Sequence, residues 1–123
     1  MDIIISNSSD KPIYEQISSQ IKNAILSGDL STGSALPSIR ALASDLQVSV
    51  ITTKRAYSDL EALGFIETHQ GKGSFVSGGN LELLREEQLR QIEELLQQAI
   101  EKADVAGVSV QELHDIIDTL VEP

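Results

Sequence analysis

The 123-residue chain contains no cysteine, so neither a disulfide framework nor a thiolate metal site can be built from it. It also lacks any run of the roughly 18 apolar residues that a membrane-spanning helix needs, and residues 1–30 show no basic start followed by an apolar stretch of the kind that marks a secretory signal. The missing cysteine says nothing firm about compartment, but the other two absences lead to the expectation of a soluble, cytoplasmic protein with no membrane partner. Length sets a further bound: one ordinary domain fits, or a small domain with an appendage, but not the two full cores of a large enzyme. Basic charge is scarce as well, with nine Lys/Arg against nineteen Asp/Glu and a net charge of −10. A basic footprint is the usual mark of a nucleic-acid partner, so the overall balance argues against one. Its distribution weakens that argument. Residues 1–78 carry six Lys/Arg against eight Asp/Glu, residues 79–123 carry three against eleven, and four of the six N-terminal cations fall between Arg40 and Lys72.

What is present is a succession of short, well-punctuated elements. "MDIII" has the composition of a short strand, and "SSDKP" supplies capping residues and a proline suited to a first helical turn. Ile13, Ile17, Ile21, Ala24 and Ile25 keep the rhythm of one buried helix face, which Gly28 ends. After the turn-rich "GDLSTGSALP", Ser38 is placed to cap a second helix with Ile39, Leu42, Ala43 and Leu46 as its stripe. Ser49 is placed to cap a third, running to Leu63 and closed by Gly64, with Ala56, Leu60 and Leu63 as its buried face. Two helices joined by so short a turn form a helix-turn-helix. "FIETHQGKGSFVS" follows as two strands of about five residues around a glycine-bearing turn, a β-hairpin wing.

"SGGN", residues 77–80, suits a hinge, and beyond it the composition turns to Leu, Glu and Gln. Leu89, Ile92, Leu96, Ala99 and Ala103 are spaced 3, 4, 3, 4, a seam that "ADVAGVS" breaks. Ser109 with Glu112 is a capping box opening a last helix, where Val110, Leu113, Ile117 and Leu120 repeat the 3, 4, 3 spacing. The expected fold is mainly α with a small β-hairpin wing. It comprises a winged helix-turn-helix over residues 1–78 and a two-helix tail over residues 79–123.

The segment "LPSIRALASDLQVSVITTKRAYSDLEALGFIETHQGKGSFV", residues 36–76, resembles the DNA-binding signature of the GntR winged-helix transcription regulators. With the first helix the likeness covers roughly residues 10–78, and the short two-helix tail resembles that of the YtrA subfamily. The resemblance implies a homodimeric repressor of transcription. It also implies DNA contacts at Arg40, at Ser49, Val50, Ile51, Thr52 and Lys54, and at Gln70, Gly71 and Lys72 of the wing. Many members carry a basic residue where this chain has Val50, so the base contacts made there in the family do not carry over directly.

The chemistry of these residues fits that implication. The first turn of a helix in the major groove reaches base edges, where thymine methyl groups suit Val50 and Ile51 and mixed donors and acceptors suit Ser49 and Thr52. Arg40 can hold a phosphate or a guanine in bidentate fashion, and Lys54 and Lys72 can reach the backbone. Alternatively, Val50 and Ile51 pack under the wing or against the first helix, the cations form an ordinary solvated surface, and the module binds another protein instead of DNA. Enzyme chemistry has little support, because His69 and His114 lie in different units and neither is paired with a nucleophile and an orienting acid. His114 and Asp118, at i and i+4, are too few to hold a metal, and no cofactor is expected. Leu89, Ile92, Leu96, Ala99 and Ala103, with Leu113, Ile117 and Leu120, are the expected dimerisation surface, the alternative being that they fold back on their own chain. The few residues after the wing leave little room for an enclosed pocket, so a small-molecule effector is left open.

Overall fold

The structure, a computed structural model, describes residues 1–78 and 81–122. The chain divides into two compact units, Met1–Leu81 and Glu82–Pro123. Part of the expected hinge, Gly79 and Asn80, lies outside the described residues.

In the first unit, α1 (Ile13–Ser27) buries Ile17, Ile21 and Ile25 on one face and ends at Gly28, whose φ of 88° is the left-handed conformation that glycine adopts without strain. The expected cap at "SSDKP" does not form. Pro12 occupies the N-cap without a side-chain bond, and Ser9 Oγ accepts instead from the Lys11 N–H. "MDIII" is likewise not a strand of any sheet. Its partners are two glutamines one turn apart on α1: the Gln20 amide bonds both the N–H and the C=O of Ile4, and the Gln16 amide does the same for Ser6. An amide offers the same donor and acceptor pair as a peptide group, so this segment meets a ladder edge made of side chains.

α2 (Ile39–Leu46) is capped by Ser38, whose Oγ accepts from the Ala41 N–H, and it buries Leu42 and Ala43. The turn to α3 (Val50–Ala62) runs through Gln47 at φ 57°, and the Val48 N–H bonds back to the Ala43 carbonyl. α3 packs against α1, α2 and the first strand of the wing. Its buried face is Thr53, Ala56, Tyr57 and Leu60, while Leu63 is 58% exposed. The expectation for Leu63 is thus corrected. It is the residue just before Gly64, where the chain leaves the helix, and the buried apolar residue at this end is Phe65. Thr53 is tolerated in this face because its hydroxyl donates to the Ser49 carbonyl, and Tyr57 because its hydroxyl donates to the Pro37 carbonyl at 2.7 Å. Burial pushes the Tyr57 phenol up to about 12.

The wing is an antiparallel pair, β1 (Ile66–His69) and β2 (Gly73–Val76), in the register Ile66 opposite Val76 and His69 opposite Gly73. Each strand has four residues, one fewer than the composition suggests. Ile66 and Val76 are fully buried and anchor the base of the hairpin. The outer edge of β2 is not left open. Residues 33–36 of the "turn-rich" connector pair with it through the Leu36 N–H to the Ser74 carbonyl and the Val76 N–H to the Ser34 carbonyl.

The second unit consists of α4 (Leu81–Ala106) and α5 (Val110–Val121). α4 continues through "ADVA", and the break comes at Gly107, φ 75°, with the Val108 N–H closing on the Ala103 carbonyl. Ser109 caps α5, its Oγ accepting from the Glu112 N–H. Of the described residues in this unit only Ala103 is buried.

Candidate nucleic-acid interface

Ser49 starts the recognition helix in the way its cap dictates: its Oγ accepts from the Thr52 N–H and donates to Thr52 Oγ1 at 2.8 Å. Both hydroxyls are therefore already engaged with each other, and Thr52, half-buried, keeps only its own hydroxyl hydrogen for another partner. Val50 is 41% exposed and Ile51 82% exposed, so neither joins the core as the packing alternative would require. Lys54 is exposed one turn beyond Val50, and Arg40 is exposed in the first turn of α2. The first turn of α3 thus presents an apolar tip with a cation behind it.

Gln70, Gly71 and Lys72 form the loop between the two wing strands, and all are exposed. The turn needs positive φ at Gly71 and Gly73, 79° and 109°, and the Lys72 N–H bonds the His69 carbonyl at 2.9 Å. A side chain at either glycine would be strained, so "GKG" keeps the tip tight and leaves Lys72 as its longest side chain. The wing is tied to α3 by Thr68, whose hydroxyl donates to Glu61 Oε2 and also bonds Ser74 Oγ. His69 lies beside Phe75, ring centres 5.7 Å apart, with Glu67 3.5 Å from its Nε2. All nine expected contact residues belong to the first unit.

Arg55 is absent from the expected set. Its guanidinium lies over the Tyr14 ring at 3.7 Å from the centroid, while the residue as a whole stays exposed. The legible signal was the i, i+4 spacing from Ile51, which puts both on the same outward face. Among the described residues, three His, Cys, Asp or Glu side chains nowhere gather as a metal site would need, and no helix is long and apolar enough to cross a membrane.

Three helices, a short turn between the second and third, and a hairpin packed on the third make a winged helix-turn-helix, the architecture of a DNA-binding transcription regulator. The profile of the family described as "Bacterial regulatory proteins, gntR family" matches residues 13–76, and the chain belongs to the GntR family. It is 40% identical over 115 residues to the HTH-type transcriptional repressor YtrA of Bacillus subtilis, covering 94% of this chain and 88% of that one. It is similar in structure to a GntR family transcriptional regulator from Listeria monocytogenes, with a TM-score of 0.75 at 30% identity over 96% of this chain and all of that one. The AraR DNA-binding domain, solved in complex with an operator, matches at a TM-score of 0.56 and 25% identity, over 63% of this chain and 96% of the domain. The chain is accordingly a DNA-binding transcription regulator and not an enzyme.

Proposed function

We propose that the protein is a homodimeric, cytoplasmic repressor that binds a palindromic operator. In this reading the N-terminal unit contacts DNA and the two-helix tail pairs with that of a second copy. The observation that carries the DNA half is the outward first turn of α3, with Ile51 at 82% exposure and Lys54 one turn behind Val50. Val50 and Ile51 meet thymine methyls and the remaining hydroxyl hydrogen of Thr52 meets an acceptor on a base edge; Ser49 serves chiefly to cap the helix. Arg40 and Lys54 hold phosphate or guanine, and the wing tip, Gln70, Gly71 and Lys72, follows the adjacent backbone. The relative named as a repressor supports the direction of control, since a dimer seated over a promoter blocks access to it. Pairing of the tails rests on their apolar exposure: Leu89, Ile92, Leu96, Ile117 and Leu120 are each at least 44% exposed in the single chain. A twofold dimer sets two recognition helices about one DNA turn apart, roughly 34 Å, which calls for a palindrome.

Salt titration tests this reading. Affinity for a random duplex should be measurable despite the net charge of −10 and should fall steeply with salt, by about 0.9 in the logarithmic slope per phosphate neutralised. Lys72→Ala should weaken operator and random duplex about equally and flatten the slope by about one unit per protomer. A protein with no salt-sensitive affinity for duplex would be the interaction module instead.

A further inference from the structure

Position along α3 pairs each apolar tip with a cation one turn on: Val50 with Lys54, and Ile51 with Arg55. Lys54 and Arg55 are consecutive, so they leave the helix about 100° apart and flank the Ile51 direction on opposite sides. A helix seated in the major groove has a phosphate wall on each side, and its N-terminal turn reaches the bases. A cation one turn deeper and displaced sideways meets the wall. We propose that Arg55, held over the Tyr14 ring with its Cζ 3.7 Å from the centroid, is a prepositioned contact for a DNA phosphate, opposite in direction to that of Lys54. The proposal deepens the reading of α3 as the groove helix and rests on it.

Three features favour a ligand role over simple packing. The guanidinium makes no ion pair or hydrogen bond among the described residues, even with Asp59 one turn further on; Arg90, by contrast, is taken up by Glu87 and Glu94. Stacking uses the face of the guanidinium and leaves its edge, which carries all five N–H donors, free for a phosphate fork. The ring also removes rotamers that a free arginine would lose on binding, so the contact forms at a smaller entropic cost. Tyr14 is suited to this as the second residue of α1, half-buried and fixed by the packing of α1 on α3.

The test uses the full chain with Arg55→Gln and Tyr14→Leu, titrated on operator and random duplex over a range of salt, with thermal melting alongside. Arg55→Gln should lower affinity for both duplexes by roughly tenfold and reduce the salt slope by about one unit per bound protomer. Tyr14→Leu keeps the charge and loses the platform, so affinity should drop several-fold while the slope stays near wild type. Wild-type affinities and slopes in both variants, whatever the melting temperatures, would reduce the pair to packing between α1 and α3. A loss in Arg55→Gln confined to the operator would make Arg55 a base reader and overturn the phosphate assignment. If the wild-type protein itself shows no salt-sensitive duplex binding, the groove reading of α3 fails first. If it does while Arg55→Gln matches it, only the role of Arg55 fails.

Discussion

A side chain that reads a thymine methyl and a side chain that fills a core are chemically the same, and only what surrounds them tells them apart. Ile51 at 82% exposure has little folded-state burial to lose. Ile51→Ala should therefore leave the melting temperature nearly unchanged, whereas a buried truncation of about 2–5 kcal/mol would lower it by many degrees. The same substitution should weaken operator binding by about 1 kcal/mol or somewhat more per half-site, with little effect on random duplex. Replacing the contacted thymine with uracil removes only the methyl and should reproduce that loss in the wild-type protein, adding little in the variant. A silent uracil substitution would show that Ile51 does not read the base. At this scale the sequence left Val50 and Ile51 undecided between groove and core, because apolar character carries no direction. Thr53 and Tyr57 were missed as core for the converse reason: their hydroxyls mark them as polar, and only the carbonyls of Ser49 and Pro37, brought near by the fold, make their burial tolerable.

Elements are decided largely at their ends. Ser38, Ser49 and Ser109 each accept from the N–H three residues on, and Gly28 and Gly64 each take a positive φ at a helix C-terminus, so those five ends were legible from residue type alone. The failures are elements whose partners are distant in sequence. Residues 33–36 look like loop, yet they cover the edge of β2; "MDIII" looks like strand, yet it is held by Gln16 and Gln20. One end departs from the pattern. Gln47, in the turn of the helix-turn-helix, holds φ 57° without being glycine, the one described non-glycine residue to do so. Its exposed side chain makes no hydrogen bond among the described residues, so the strain is uncompensated locally. Gln47→Gly should then stabilise the protein by about 0.5–1 kcal/mol and raise its melting temperature by a few degrees, with operator affinity unchanged. A lower melting temperature would mean that the greater freedom of glycine in the unfolded chain outweighs the relieved strain.

For the whole molecule the question is what covers the tail. By the 100° step of a helix, Leu84, Leu89, Ile92, Leu95, Leu96, Ala99 and Ile100 of α4 fall within an arc of roughly 160°, and the apolar residues of α5 within roughly 140°; Ala103, expected in the dimer seam, is already buried within the single chain. The 3, 4, 3, 4 seam read from the sequence is only part of that surface; Leu95 and Ile100, 65% and 48% exposed, belong to it too. A two-stranded coiled coil buries a narrow stripe, whereas arcs this wide suit four helices, two from each of two chains. In such a bundle the eleven acidic and three basic residues of residues 79–123 would fall largely on the outer, solvated faces. Two variants of the same helix separate this from general fragility. Ile92→Glu with Leu96→Glu places charge at the centre of the arc and should abolish the dimer proposed for the wild-type protein, giving a monomer by sedimentation at matched concentration. Leu83→Glu makes the same change on α4 at a residue 62% exposed but outside the arc, and should leave the dimer intact. The monomer should keep a melting transition for its winged helix, whose core of Ile17, Ile21, Leu60, Ile66 and Val76 lies within the first unit, while losing most of its operator affinity because each half-site is then bound alone. An unchanged sedimentation coefficient in the Ile92, Leu96 variant would place any interface elsewhere than on this arc.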